Sequence, residues 1–359
     1  MAAPADYLDT HDLKQIAAGG WVREDVLQKI QDASTGVKPV FLDMIGRSPV
    51  SNSYTEWPED KLPDPDTANA VVSGSDASIG NQTLPNAKRV GNHCQTSVKV
   101  VAVSERAENT DNVGMSSLLA YDTMRKLLAL KRDVEAISLS NQVSRADDNN
   151  TNAGLSGGLG AWIKTHEIAG GTGGGFNTST KVLNAVVPGN AYSTSLADLR
   201  QLIGELYEEG VGENGLVVMS RPSIIAAISE ALRTDESGNF VKPVANIQGS
   251  GSAVDQYAQA WTNAFVTDFG IRCKLVANRL QPTYESDDTE TVANVYIFDP
   301  DYLALGFLHD FKVEPLAKIG LSHRRLLSVD WTLKVMLERA CAVIRDVDVS
   351  DPLGFGSSA

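Results

Sequence analysis

Apolar and polar positions alternate most regularly in LLSVDWTLKVMLE. Leu327, Val329, Trp331, Leu333, Val335 and Leu337 take every second place, with Ser328, Asp330, Thr332, Lys334, Met336 and Glu338 between them. A period of two puts the first set on one face, which predicts a long strand in an antiparallel sheet with one wet side. After a register change the apolar run continues through AVIRDV (342–347). HCQTSVKVVAVSE (93–105) alternates too, and Cys94, Thr96, Val98, Val100 and Ala102 are read as its buried set.

The helical period governs residues 115–143, which contain neither Gly nor Pro. Ala120, Met124, Leu127, Leu130, Val134 and Ile137 recur at steps of three or four, on one side of a helix. At 1.5 Å per residue this helix would run roughly 40 Å, a strut rather than an ordinary globular helix. Farther on the signals are those of an α/β unit. Ser195 can cap LADLRQLIGELYEE, which stops at Gly210. LVVMS (216–220) reads as a buried strand, and Ser220 is expected to cap RPSIIAAISEALR, with Pro222 in its first turn. IRCKLVA (271–277) and NVYIFD (294–299) are two further strands. EDVLQKI (24–30) has helical spacing but nothing beside it to close a core.

Between Ser48 and about Asn92 the pattern disappears. Pro49, Pro58, Pro63, Pro65 and Pro85 are set among turn formers, and few large apolar residues remain. Such a segment cannot bury enough surface to fold alone. Trp57 is its one large aromatic anchor, so a partner chain is its expected cover. On that reading Trp57→Ala spares the fold and harms association.

Composition narrows the class. The chain has 359 residues, enough for two or three cores, with 42% apolar and 21% charged residues. Net charge is −14, and the dense basic clusters RKLLALKR (125–132) and HRR (323–325) are flanked by acids. This opposes specific nucleic-acid binding and favours solubility. The first residues lack the basic start and apolar run of a signal peptide, and no stretch approaches a membrane span. Three scattered cysteines, Cys94, Cys273 and Cys341, suggest a reducing cytoplasm.

Candidate chemistry is sparse. A phosphate loop needs a Lys directly after its last Gly, between strand and helix. In GGLGAWIKTHEIAGGTGGGFNTSTK (157–181) Gly175 is followed by Phe176 and Asn177, and Lys181 lies too far on. The glycines are read as turns in a connector. The histidines, His11, His93, His166, His309 and His323, show no metal-ligand spacing. His166–Glu167 reads as a turn pair, no GxSxG elbow occurs, and ESDDTE (285–290) reads as a polar turn. No catalytic, cofactor-binding or metal-binding residue is assigned.

Several blocks in this order resemble the major capsid proteins of tailed bacteriophages with the Hong Kong 97-like fold. They are TEWPEDKLPDPD (55–66), SVKVVAVSE (97–105), ALKRDVEAISLSNQ (129–142), GGLGAWIKT (157–165) and EPLAKIGLSHRRLLSVDWTL (314–333). The resemblance implies an α+β fold: an N-arm (1–47), an extended E-loop (48–96) and a P-domain (97–194). The P-domain would hold the spine helix (115–143) and the glycine-rich connector. An α/β A-domain (195–305) and a P-domain return strand with C-terminal tail (306–359) would follow. It implies a non-enzymatic shell protein, a virion component assembled in the host bacterial cytoplasm. The shell would be icosahedral, made of pentamers and hexamers of the chain itself, and would enclose double-stranded DNA with weak nonspecific contact. Portal, scaffolding and decoration proteins would be the other partners, with no membrane and no cofactor. No cleavable N-terminal extension is expected, and no cross-linking residues are assigned. Subunit-interface candidates are Trp57, Glu56, Glu59 and Asp60, with Arg125, Lys131 and Arg132 as basic counterparts on the next subunit. An encapsulin-type nanocompartment shell is the alternative, and a cytosolic α/β enzyme a further one.

Overall fold

The computed structural model of the chain describes residues 38–62, 65–68, 70, 72–74, 87–110, 116–148, 151–168, 171–232 and 264–353. EDVLQKI, most of the N-arm and much of the E-loop tip lie outside them.

The described chain starts with helix α1 (Val40–Met44), then strands β1 (Gly46–Pro49), β2 (Tyr54–Glu59), β3 (Lys88–His93) and β4 (Gln95–Ser104). Helix α2 (Glu105–Glu108) leads to the long helix α3 (Leu118–Ser138). Helix α4 (Leu159–Trp162) and short strands β5 (Glu167–Ile168), β6 (Thr172–Gly173), β7 (Phe176–Asn177), β8 (Val182–Leu183) and β9 (Val186–Val187) form the connector. Helix α5 (Leu196–Glu208), strand β10 (Leu216–Ser220) and helix α6 (Pro222–Ala231) follow. The rest is β: β11 (Ala264–Val266), β12 (Arg272–Ala277), β13 (Tyr284–Glu285), β14 (Thr291–Phe298), β15 (Leu303–Pro315), β16 (Ser322–Val335) and β17 (Cys341–Asp348).

Among the described residues two large sheets dominate. One has the order β1-β15-β16-β4, and β16 pairs antiparallel with both β15 and β4. The other runs β11-β12-β10-β14-β17-β5, with β13 on β14. The alternation at 327–335 holds: Leu327, Val329, Trp331, Leu333 and Val335 are all buried. AVIRDV does not continue that strand. A 3-10 turn at Glu338–Ala340 redirects the chain, and β17 joins the seven-stranded sheet beside β14, outside the P-domain sheet expected for the return segment. Strand β15 is an element the alternation did not predict.

Three other expectations need correction. On β4 the buried residues are Val101 and Val103, whereas Val98 and Val100 are 55% and 51% exposed, so the covered face is the opposite one. Helix α3 covers 21 residues, about 32 Å, because it stops at Ser138 and not near 143. Its stripe includes Leu130 and Val134, but Met124 is 69% exposed and Ala120 is exposed too. Ser220 is the last residue of β10, and its hydroxyl donates to Asn294 O; Arg221 precedes α6 without a side-chain cap. Ser195 does cap α5, in a capping box with Asp198.

The glycines of the connector serve conformation and closeness. Gly173, Gly174 and Gly175 have φ of +108°, +77° and +83°, the left-handed region that favours glycine. At Gly160 an added Cβ would lie 2.0 Å from Asn141 Oδ1, so no other residue fits there without displacement. Among the described residues no helix is long and apolar enough to cross a membrane.

Candidate functional site

The acidic aromatic stretch forms the hairpin base rather than a free loop. Strand β2 pairs antiparallel with β3, setting Trp57 opposite Val90 and Glu59 opposite Lys88. The Trp57 indole N–H donates to Val335 O at 2.9 Å. Its ring centre lies 5.6 Å from that of the buried Trp162, which stacks on Phe176 at 5.9 Å. The premise that Trp57 has no cover in its own chain is therefore corrected. Its strand partner lies across a long insertion, and pairing swings the ring onto the end of the four-stranded sheet.

Ion pairs hold the hairpin from several sides. Glu56 meets Lys181 Nζ at 3.0 Å and Arg89 at 4.0 Å. Glu59 is 6% exposed and lies 3.4 Å from Lys88 Nζ. Burial pushes its carboxyl above the ordinary value, and Lys88 only partly opposes that. Asp60 accepts from the Lys61 backbone N–H at 2.9 Å. Lys61 and Arg339 both reach Glu209, at 3.1 and 2.9 Å, and so tie the hairpin to the end of α5. Burial raises the Glu209 carboxyl, but these two cations outweigh it and hold it below its ordinary value.

The basic candidates lie on α3. Arg125 is exposed, its guanidinium 5.6 Å from the Tyr121 ring centre. Lys131 lies 5.5 Å from the Phe311 ring centre, and Arg132 is half-buried. Within the chain Glu56 and Glu59 thus meet Lys181, Arg89 and Lys88.

Three fully buried charged side chains, Glu135, Arg345 and Asp346, stand at positions that the pattern did not single out. Glu135, fully buried on α3, accepts from Phe41 N (2.8 Å), Leu42 N (2.9 Å) and Asn278 Nδ2 (2.6 Å). Burial raises its carboxyl, and the backbone N–H groups counteract it. One side chain thereby joins α1, α3 and the loop after β12. Arg345, also fully buried, meets Glu167 at 2.9 Å and donates to Gly160 O (2.8 Å) and Ile163 O (2.5 Å). Next to it, Asp346 accepts from Gly189 N at 2.9 Å and from the Tyr284 hydroxyl at 2.7 Å. Tyr296 donates to Leu139 O at 2.8 Å, and Asn294 donates to Asn141 Oδ1 at 2.8 Å.

These groups hold segments together. The Arg345 guanidinium is occupied by two carbonyls and a carboxylate. Burial and the nearby Asp346 charge push the Tyr284 hydroxyl up. Burial likewise raises the Cys94 thiol to about 11 and Cys273 to about 12, which keeps both as thiols. Among the described residues there is no group of three or more His, Cys, Asp or Glu that could hold a metal ion. The sequence signal for the junction was weak: Glu135 lies on a helix that buries Thr123 and Ser138 as well as Leu130 and Val134.

A family profile for the SU10 major capsid protein matches residues 9–348 of this chain. The chain belongs to that family. The major capsid protein of Escherichia phage Phieco32 is 26% identical over 278 residues, spanning 68% of this chain and 74% of that protein. Solved structures share the fold at lower identity. The capsid of a native GTA particle superposes with a TM-score of 0.59 at 13% identity, covering 92% of this chain and 97% of that one. The capsid of cyanophage P-SCSP1u gives 0.54 at 12%, over 95% and 99%. An encapsulin complex from Synechococcus elongatus gives 0.55 at 11%, over 96% and 97%. The fold alone therefore does not separate phage capsid from encapsulin; the family match does. This major capsid protein has the Hong Kong 97-like α+β fold, and as a capsid protein it is a component of the virion.

Proposed function

We propose that this capsid protein closes, as rings of five and six copies, into an icosahedral shell around double-stranded DNA. It acts without catalysing a reaction, and the shell assembles in the host cytoplasm with portal, scaffolding and decoration proteins as partners. One observation carries the reading: large apolar side chains stand outside both cores. Leu62 (87% exposed), Leu321 (77%), Ile319 (64%), Val98 and Val100 are left exposed among the described residues, as a subunit made to meet copies of itself requires. In this reading β2–β3 is the root of the E-loop, α3 the spine of the P-domain, and α5 to β14 the bulk of the A-domain. The exposed Glu56 and Asp60 are proposed to pair with Arg125, Lys131 or Arg132 of the next subunit, whereas Glu59 is buried against Lys88 of its own chain. An acidic chain contacts packaged DNA through few cations, so the salt dependence of that contact is shallow.

Negative-stain imaging and sedimentation of the expressed chain, with nuclease protection of particles from infected cells, test this. Closed shells that protect DNA are expected. Shells holding a folded cargo protein and no DNA would instead support the nanocompartment reading, and compact monomers under all salt and scaffold conditions would overturn both.

A further inference from the structure

The seven-stranded sheet has two unlike patches near one end. On the face covered by α5 and α6, Tyr207 and Phe269 stack at 5.5 Å with 20° between their planes, yet remain 52% and 40% exposed. Phe269 rests over Gly204 of α5, where an added Cβ would touch the ring at 3.4 Å. The pair borders a cleft of about 540 Å³ whose rim carries Glu208 and Glu213. Both carboxylates are exposed, and among the described residues neither has an ion-pair partner. Nearby Asp268 is already held by Arg200 at 2.5 Å.

The opposite face of the same sheet end is cationic. On β12, Cys273 and Leu275 are buried in the core beneath α5 and α6, so alternation sends Arg272 and Lys274 to the other side. There they pair across the ladder with Val266 and Ala264 of β11, and all four are exposed. Among the described residues neither cation makes an ion pair. The acids sharing this groove are occupied, since Asp301 accepts from Asn214 at 3.0 Å and Asp299 caps the turn at Pro300–Tyr302.

We infer that the acidic aromatic cleft receives the Arg272–Lys274 strip of a second copy of this chain. The two patches lie on opposite faces of one sheet, so they cannot meet within a chain. Two different patches that fit each other give a head-to-tail contact, which repeats by rotation into a ring. The chemistry is complementary: two carboxylates without ion-pair partners among the described residues and a partly exposed stacked aromatic pair, against a guanidinium and an ammonium. The inference rests on the shell reading and assigns residues to one of its contacts.

Reciprocal charge reversal tests it in the full chain. Glu208→Lys with Glu213→Lys, and separately Arg272→Glu with Lys274→Glu, are expected to cut the assembled fraction about tenfold or more at about 0.15 M salt. All four changes in one chain restore the complementarity with reversed sign, and assembly should return to near the parent level. Either pair assembling like the parent, or the fourfold variant doing no better than the pairs, would overturn the contact while leaving the shell intact. A parent chain that never assembles removes the shell reading and this contact together. Should a charge pair unfold, Glu213→Cys and Lys274→Cys chains, mixed and oxidised, replace it. A disulfide-linked dimer is then expected, and its absence overturns the assignment.

Discussion

In the seven-stranded sheet, adjacent residues of β10 are buried in opposite directions; in the four-stranded sheet, adjacent residues of β4 are not. Val218 packs with α5 and α6, while Val217 faces the second core with Met219, Phe298 and Trp162. On β4, Val101 is fully buried beneath α3, and Val100, its neighbour, is 51% exposed. Both strands are rich in β-branched residues, so composition does not distinguish them. What differs is what lies over each face. A strand with both faces covered, as β10 is, makes every position a core position. A strand covered once, as β4 is and as β12 is at Arg272 and Lys274, leaves alternate positions to another function.

The largest expected effect follows from double coverage. Val217→Asp and Val218→Asp should each prevent recovery of folded protein, although they point opposite ways. Each buries a carboxylate without a partner, a cost of about 4 kcal/mol or more against a typical total of about 5–15. Soluble expression and far-UV circular dichroism check this. Normal folding of either variant would mean that its face is open.

Next is Glu135→Ala. The covered face of the four-stranded sheet depends on α3, and Glu135 binds α3 to α1 and to the seven-stranded sheet. Its removal leaves the Phe41 and Leu42 N–H groups and the Asn278 amide without their acceptor. We expect about 3 kcal/mol of destabilisation in denaturant unfolding. Glu135→Gln should recover only part of it, because its amide NH2 would face donors. Full recovery by Gln would show that the carboxylate's second oxygen contributes nothing.

Trp57→Ala comes third. The indole loses its bond to Val335 O and its contact with Trp162, so the single chain should lose about 2 kcal/mol, read as a lower unfolding midpoint. An unchanged midpoint with impaired assembly would return Trp57 to the role of a pure partner anchor.

The sequence made these elements legible to unequal degrees, for physical reasons. The face of β16 was readable because its apolar residues keep one parity over five turns of the pleat and Trp331 fixes the sense. Capping at Ser195 and the buried run LVVMS were readable from local chemistry alone. In SVKVVAVS, Val98 and Val100 share one parity and Val101 and Val103 the other, so periodicity is silent about which pair α3 covers. Strand β15 escaped because Ala304 and Leu308 stand among Leu303, Leu305 and Phe307, and His309 interrupts that set, which blurs the alternation. The junction escaped for another reason: Glu135, Arg345 and Asp346 come from distant segments and become partners only once the backbone brings them together. The interface candidates Glu56 and Glu59 were recognised as charges needing cations, but no spacing rule could name Lys181, Arg89 or Lys88.

The smallest effect is the sharpest test of the comparison. Val100 and Val101 are chemically identical neighbours on β4, and only the cover over them differs. Val101→Asp places a carboxylate under α3, where its ladder partner is the half-buried Arg325, with His323 and Leu327 flanking that residue on the same side of β16. Arg325 offsets only part of the desolvation of a fully buried site, so the variant should still be strongly destabilised. Val100→Asp places it on the bare face. There, in register, its ladder partner is the half-buried Leu326, and Arg324 and Ser328 flank that residue on the same side of β16. Water still solvates an exposed carboxylate, and Arg324 partly offsets its charge, so the unfolding free energy should move by no more than about 0.5 kcal/mol. If Val100→Asp keeps the parent's midpoint but no longer assembles, the bare face is a contact surface between copies. If it unfolds the chain, β4 is covered on both sides, and the contrast between the two strands is gone.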